Sequence, residues 1–385
     1  MEFRSLSRQY DVIRDSIDKA ISDVISETNF ISGRQVRELE EKLENYVNVK
    51  HCITCANGTD ALSLALMAWG IGRGDAVFVP DFTFFSSGEV VSFSGATPFF
   101  VDVDYDTFNI DYSKLEQTIK CVIREGKFVP KAIVVVDLFG QPADYYEIRR
   151  IADAYGLYIL EDGAQGFGGA IQEKKNCSFG DIATTSFFPM KPLGCYGDGG
   201  AVFTNNDEWA ELIESYCVHG KGSMKYDNVR IGMNSRLDTV QAAILLAKLE
   251  VFDSEVQSIN CIADYYSELL RKTICDRFLQ IPHVRSGYFS SWAQYTIKLN
   301  ERNERDELQS YLKTQDIPSF VYYPKPMHRQ IAFSFLNCND CDFEVANKLS
   351  ECVLSLPISP YMKREEVDKV VHFIAKFYGQ DSFYE

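Results

Sequence analysis

The chain has 385 residues, 46% of them hydrophobic and 24% charged, with a formal net charge of −16. That length allows a large domain carrying a smaller one, and the excess of acid opposes binding along a phosphate backbone, so nucleic acid is not an expected partner. No apolar run approaches the ~20 residues that span a bilayer, and the polar start "MEFRSLSRQYDVIRDSIDKAISDVI" lacks a signal peptide's apolar core, so a cytoplasmic protein with no membrane partner is expected.

Eleven cysteines, an odd number without a secretion signal, point to free thiols in a reducing compartment. Two C-x-x-C pairs occur, Cys52/Cys55 and Cys338/Cys341. A zinc site built from both would need their segments to meet, but no histidine sits at ligand spacing and "HCITCA" reads as a strand, so buried thiols and no metal are expected.

Along the chain, an opening helical arm is followed by "RQVRELEEKLENYVNV", which puts Val36, Leu39, Leu43 and Val47 on one helical face. Then come the strand "HCITCA", the turn and helix "NGTDALSLALMAWG", the strand "DAVFVP", the helix "TFFSSGEVVSFSG" and the strand "TPFFVDVD". The helix "DYSKLEQTIK", the buried strand "KAIVVVDLFG", the helix "ADYYEIRRIADAYG" and the strand "LYILED" continue the alternation. This rhythm predicts an α/β fold with a mostly parallel sheet covered on both faces.

From about 170 to 205 short strands and turns take over. A helix-rich stretch from Leu237 to about Cys275 leads to a C-terminal third with the strand "AQYTIKL" and the helices "RDELQSYLKTQ" and "REEVDKVVHFIAKFY". The expected division is a large α/β domain over 1–250, with its helical arm, and a smaller α+β domain over 251–385.

No G-x-G-x-x-G follows the first strand and no Walker lysine loop occurs. The first βα turn, "ANGTDAL", instead offers Gly58 and Thr59 at a helix N-terminus, where a phosphate binds well or where Thr59 simply caps the helix. "LYILEDGAQGFGG" places Glu161 and Asp162 at the carboxyl end of an apolar strand, the ligand-binding edge of an open parallel sheet. "TTSFFPMKPLGCYGDGG" sets Lys191 between Pro189 and Pro192 and follows it with glycines, so the amine is aimed by a stiff approach and the chain can then turn away closely. A phosphate site, a strand-end carboxylate and a braced lysine together suit pyridoxal 5'-phosphate: its phosphate needs an anion site, its ring nitrogen an acid, its aldehyde a lysine.

With "RIGMNSRLDTVQAAIL", these segments resemble the DegT/StrS family of pyridoxal-phosphate-dependent nucleotide-sugar aminotransferases, of fold type I, from about Phe30 to the end of the chain. The resemblance implies that Lys191 is the Schiff-base lysine and proton carrier. It implies that Asp162 pairs with the ring nitrogen, that Gln165 bonds the ring hydroxyl, and that Phe84 stacks on the ring. Gly58, Thr59 and Ser186 would hold the phosphate, with Asn234 reaching in from a neighbouring subunit of a homodimer. Arg236, Tyr322, Tyr323 and His328 are the candidate substrate contacts, Arg236 for a carboxylate.

The implied reaction moves an amino group from L-glutamate to a keto group on a nucleotide-linked sugar, for bacterial surface polysaccharide synthesis. Among subfamilies the chain is most similar to enzymes aminating C3 of UDP-linked N-acetyl-3-keto-hexuronates; amination of C4 in a UDP- or GDP-linked 4-keto-6-deoxyhexose is the alternative. A non-catalytic regulator that binds the cofactor is the reading from another class, whereas Lys191 argues against the sugar dehydratases, which carry histidine there.

Two departures stand out. Gly163 replaces a frequent alanine, a small change expected to leave Asp162 undisturbed, and Tyr322-Tyr323-Pro324 stands where many relatives read His-Tyr-Pro. Tyr322 keeps a hydrogen-bonding group but not one that titrates near neutral pH.

Overall fold

The computed structural model describes residues 1–224, 226–274 and 276–380. The opening helix α1 (Leu6–Glu27) is capped by the Ser5 hydroxyl, and α2 (Arg34–Val47) follows. Strand β1 (His51–Cys55), α3 (Gly58–Ala68), β2 (Asp75–Pro80), α4 (Ser86–Phe93) and β3 (Thr97–Val101) begin the alternation. It continues with α5 (Tyr112–Glu125), β4 (Val129–Val136), α6 (Tyr145–Tyr155) and β5 (Tyr158–Asp162). The predicted short elements are β6 (Ala170–Ile171), β7 (Lys174–Lys175), β8 (Ile182–Ser186) and β9 (Gly200–Thr204), before α7 (Asp207–Cys217).

The central sheet has seven strands in the order β1-β9-β8-β5-β4-β2-β3. Only β9 opposes its neighbours, so the other strands end on one edge. Alternation of side chains explains why both faces are apolar. Val77, Val79, Val134 and Leu160 face the core under α3, while Phe78, Ile133, Val135 and Ile159 join Ile119 of α5 and Ile148 of α6 on the other side.

The stretch expected to be helical from Leu237 to about Cys275 is one helix, α8 (Thr239–Thr273); Cys275 itself lies outside the described residues. Residue 250, where the division between domains was expected, falls inside α8. The first half of this helix packs Ala242, Leu245 and Phe252 beside the central sheet. Its second half packs Ile262, Tyr266 and Leu270 against the C-terminal part of the chain.

There β10 (Leu279–Gln280), β12 (Tyr295–Leu299) and β13 (Val353–Leu356) form a second, antiparallel sheet. Helices α9 (Arg302–Thr314), α10 (Glu344–Cys352) and α11 (Arg364–Phe377) complete this part. Strand β11 (Tyr288–Phe289) instead pairs with β6, in a small sheet that also holds β7. Cys52 and Cys55 are buried on β1, and Cys338 and Cys341 belong to the segment before α10. Among the described residues no group of three or more His, Cys, Asp or Glu is placed to hold a metal.

Candidate active site

The common edge where β1, β2, β4, β5 and β8 end opens into a cavity of about 480 Å³. Asp162, the last residue of β5, enters it buried, accepting a hydrogen bond from Ser87 Oγ at 2.8 Å and one from the Ala164 N–H at 3.3 Å. Burial raises the pKa of this carboxyl, while the Ser87 bond and the charge of Lys191 pull it back. Burial likewise lowers the pKa of Lys191, and the Asp162 charge opposes that shift. Each charge thus supports the other, against a burial that disfavours both. Neighbouring Glu161 points away, taking hydrogen bonds from the N–H groups of Phe179 (2.7 Å) and Gly180 (2.9 Å).

The loop carrying Lys191 is braced as its prolines suggested. Lys191 N–H donates to the Phe188 carbonyl at 2.9 Å, and Cys195 N–H to that of Phe187 at 2.8 Å. A second lysine, the buried Lys248 of α8, donates to the Gly194 carbonyl at 2.6 Å. A Cβ on Gly194 would lie 2.6 Å from the Phe188 and Pro189 carbonyl oxygens, so only glycine allows this close return.

At the other end of the cavity α3 begins at Gly58. Its first N–H groups have no acceptor within the helix and gather positive potential, a natural anion site. The Asn57 side chain caps the helix by accepting from Asp60 N–H at 2.8 Å, leaving the Thr59 hydroxyl to pair with Ser86 Oγ at 2.8 Å. Thr59 is therefore not the cap. A Cβ on Gly58 would sit 2.7 Å from Ser186 Cβ, so the turn presses directly on the end of β8.

Gln165 accepts from the Phe139 N–H at 2.7 Å and donates to the Tyr323 hydroxyl at 2.9 Å, which aims its amide along the cavity wall. Phe84, 52% exposed, and Tyr322 also line the cavity. Sequence reasoning missed Ser86, Ser87, Lys248 and Gln294. The pair of serines opening a helix in "FFSSG" was the available signal for the first two; nothing local marks the others. Gln294 lines the cavity with its Oε1 shut away from solvent and without a hydrogen-bond partner.

Three expected residues lie elsewhere. Asn234 and Arg236 are exposed, bonded to each other at 3.1 Å, and do not line the cavity of their own chain. Between them the buried Ser235 ties their segment to the turn before α3, accepting from Ala56 N–H at 3.1 Å and donating to Asp60 at 2.7 Å. His328 is the correction: it was expected to contact substrate, but its side chain is 3% exposed and held between Asp81 and Asp340, off the cavity. Buried Asp81 outcompetes an open pocket for the ring because a carboxylate without water needs a donor.

Gly163 also has a physical reason. A Cβ there would lie 2.5 Å from the sulfur of buried Cys177. The residues fit pyridoxal phosphate, with helix N–H groups and hydroxyls for a phosphate, a buried carboxylate for the ring nitrogen, and a lysine of lowered pKa.

Comparison with known proteins agrees. A UDP-2-acetamido-2-deoxy-3-oxo-D-glucuronate aminotransferase of Pseudomonas aeruginosa is 41% identical over 362 residues, covering 94% of this chain and 96% of the relative. A pleiotropic regulatory protein of Geobacillus stearothermophilus is 40% identical, covering 97% of each. The crystal structure of a DegT DnrJ EryC1 StrS aminotransferase from Brucella abortus superposes with a TM-score of 0.95 at 46% identity, covering 98% of this chain and all of that one. Pyridoxal phosphate is the cofactor of these aminotransferases. The family pattern spans residues 11–375, and the chain belongs to the DegT/DnrJ/EryC1/StrS aminotransferase family.

Proposed function

We propose that this protein transfers an amino group from L-glutamate to C3 of a UDP-linked N-acetyl-3-keto-hexuronate. The observation that carries the chemistry is the meeting of Lys191, Asp162 and the Gly58 turn in one cavity; the substrate is supported by the printed activity of the Pseudomonas aeruginosa relative. When bound, pyridoxal phosphate supplies an electron sink that stabilises negative charge on the carbon losing its proton.

The chain's residues do the rest. Asp162 would pair with the ring nitrogen, and Gly58, Thr59 and Ser186 would hold the phosphate. Phe84 would cover one ring face, and Gln165 would bond the ring hydroxyl. Lys191 Nζ, whose burial favours its neutral form, would take a proton from one carbon and return it to another.

Among the described residues lining the cavity, Lys191 is the only lysine, arginine or histidine. A hexuronate carboxylate therefore needs a cation from outside, which supports a homodimer in which Asn234 and Arg236 of one protomer complete the site of the other. Tyr322 and Tyr323 form the sugar-facing wall.

A second reading, a cofactor-binding regulator, is favoured by the name of the Geobacillus stearothermophilus relative. Mass spectrometry of products formed from glutamate and a panel of keto-sugar nucleotides tests the proposal. Amination of the 3-keto-hexuronate ahead of 4-keto-6-deoxyhexoses is expected. Preference for the latter would overturn the substrate, and no amination of any would favour the regulator.

A further inference from the structure

The residue that left the substrate site has a role that its surroundings define. Asp81 directly follows β2 and stands just before Thr83 and Phe84 of the cavity. His328 follows Tyr322 and Tyr323 through a short link stiffened by Pro324 and Pro326. The two meet through the Met327 N–H on the Asp81 carbonyl (2.8 Å), the His328 N–H on Asp81 Oδ1 (2.8 Å), and Nδ1 of the ring against Asp81 Oδ2 (2.6 Å).

The far ring nitrogen, Nε2, lies 3.0 Å from Asp340, and Phe343 stacks on the ring with centroids 4.3 Å apart. With a carboxylate at each nitrogen, both must donate, and only the imidazolium has two N–H groups; a neutral ring would turn a lone pair toward one carboxylate.

We propose that protonated His328 is a positioning residue: clamped between Asp81 and Asp340, it holds the Tyr322–Tyr323 wall against the Phe84 turn, and affinity for the sugar substrate falls as the ring loses its proton. This rests on the aminotransferase reading above. Other charged or titratable groups face the clamp. Arg329 pairs with Asp340 at 2.6 Å, and Asp102 caps α10 through the Val345 and Ala346 N–H groups. The Cys338 thiol lies within the field of Asp81 and Asp342, and Glu351 acts on Arg329.

The electrostatics of the clamp point the same way as its geometry. Burial pulls the His328 pKa down, but the bonds and charges of Asp81 and Asp340 outweigh it, so the net shift is upward. Asp81 is raised by its own burial and lowered again by His328, as a buried partner should be. The clamp is therefore complete below the ordinary imidazole pKa of about 6.5 and is lost as pH rises through the raised value.

The test follows the ring and the substrate together. With five histidines in the chain, NMR titration can follow the His328 ring in the full-length, cofactor-loaded protein. KM for the keto-sugar nucleotide is measured over the same pH range in the wild type, His328→Asn and Asp340→Asn. Asp340 is surface-exposed, so its variant keeps the fold.

The expected result is a KM that rises as the ring deprotonates, with both transitions moved to lower pH in Asp340→Asn. In His328→Asn, KM should be raised roughly tenfold, independent of pH, with kcat little changed. A ring that titrates while KM ignores it, or a His328→Asn variant that loses thermal stability alone, would overturn the proposal. Wild-type protein that binds cofactor but aminates nothing would instead sink the aminotransferase reading on which it rests.

Discussion

Removing the Ser87 hydroxyl tests how the site favours the ionised form of a buried carboxylate. Ser87 Oγ and Asp162 Oδ2 are 2.8 Å apart and both residues are buried, so Ser87→Ala removes a donor from a poorly solvated carboxylate. A hydrogen bond to a charged group is worth about 1.5–3 kcal/mol, and 1.4 kcal/mol is a factor of ten. Cofactor affinity should therefore fall about 10- to 150-fold, read by equilibrium titration of cofactor absorbance.

The direction with pH follows from the raised pKa of Asp162. A carboxyl whose folded pKa lies above its unfolded one destabilises the fold as pH rises through the folded value. Ser87→Ala enlarges that effect, so melts of the cofactor-free variant and wild type should differ near neutral pH and approach each other in acid. Thr83 Oγ1 lies 3.2 Å from Ser87 Oγ and is bonded to it rather than to Asp162. Affinity within twofold of wild type would refute it.

Gly58→Ala drives a Cβ to 2.7 Å from Ser186 Cβ; an overpacking cost of about 1–3 kcal/mol predicts cofactor binding weaker by about 5- to 150-fold in the same titration. Gly163→Ala should lower the melting temperature because Cys177 blocks the new methyl, and the double variant Gly163→Ala/Cys177→Ala should recover most of the loss; no recovery would show that the strain lies elsewhere. Gln294→Ala should raise KM for one substrate by about 5- to 30-fold at unchanged melting temperature, since a ligand that pairs with its amide loses a partner worth one or two kcal/mol. Unchanged KM for both substrates would show that the amide is idle.

What the sequence made legible was local chemistry at the ends of strands. Asp162, Gly58, Thr59 and Ser186 each end a strand or open the next helix, and in a parallel sheet those ends meet, so motifs far apart in the chain could be assembled without coordinates. Lys191 was legible because its prolines and glycines advertise a shaped loop. His328 was misplaced because its partner Asp81 lies 247 residues away and no periodicity links them. Nothing local singles out Lys248 on α8, and only its bond to Gly194 across the fold reveals its use. Residue 250, where the division was expected, lies within α8, whose two halves pack against different cores.

The most direct test of the central claim is the absorption spectrum of the purified, cofactor-loaded protein before and after L-glutamate, beside Lys191→Ala. A visible cofactor band is expected in the wild type, removed by glutamate as the cofactor passes to its amine form, with no such glutamate response in the variant. A wild-type band unmoved by glutamate and other amino donors, or a Lys191→Ala variant that responds like the wild type, would contradict it.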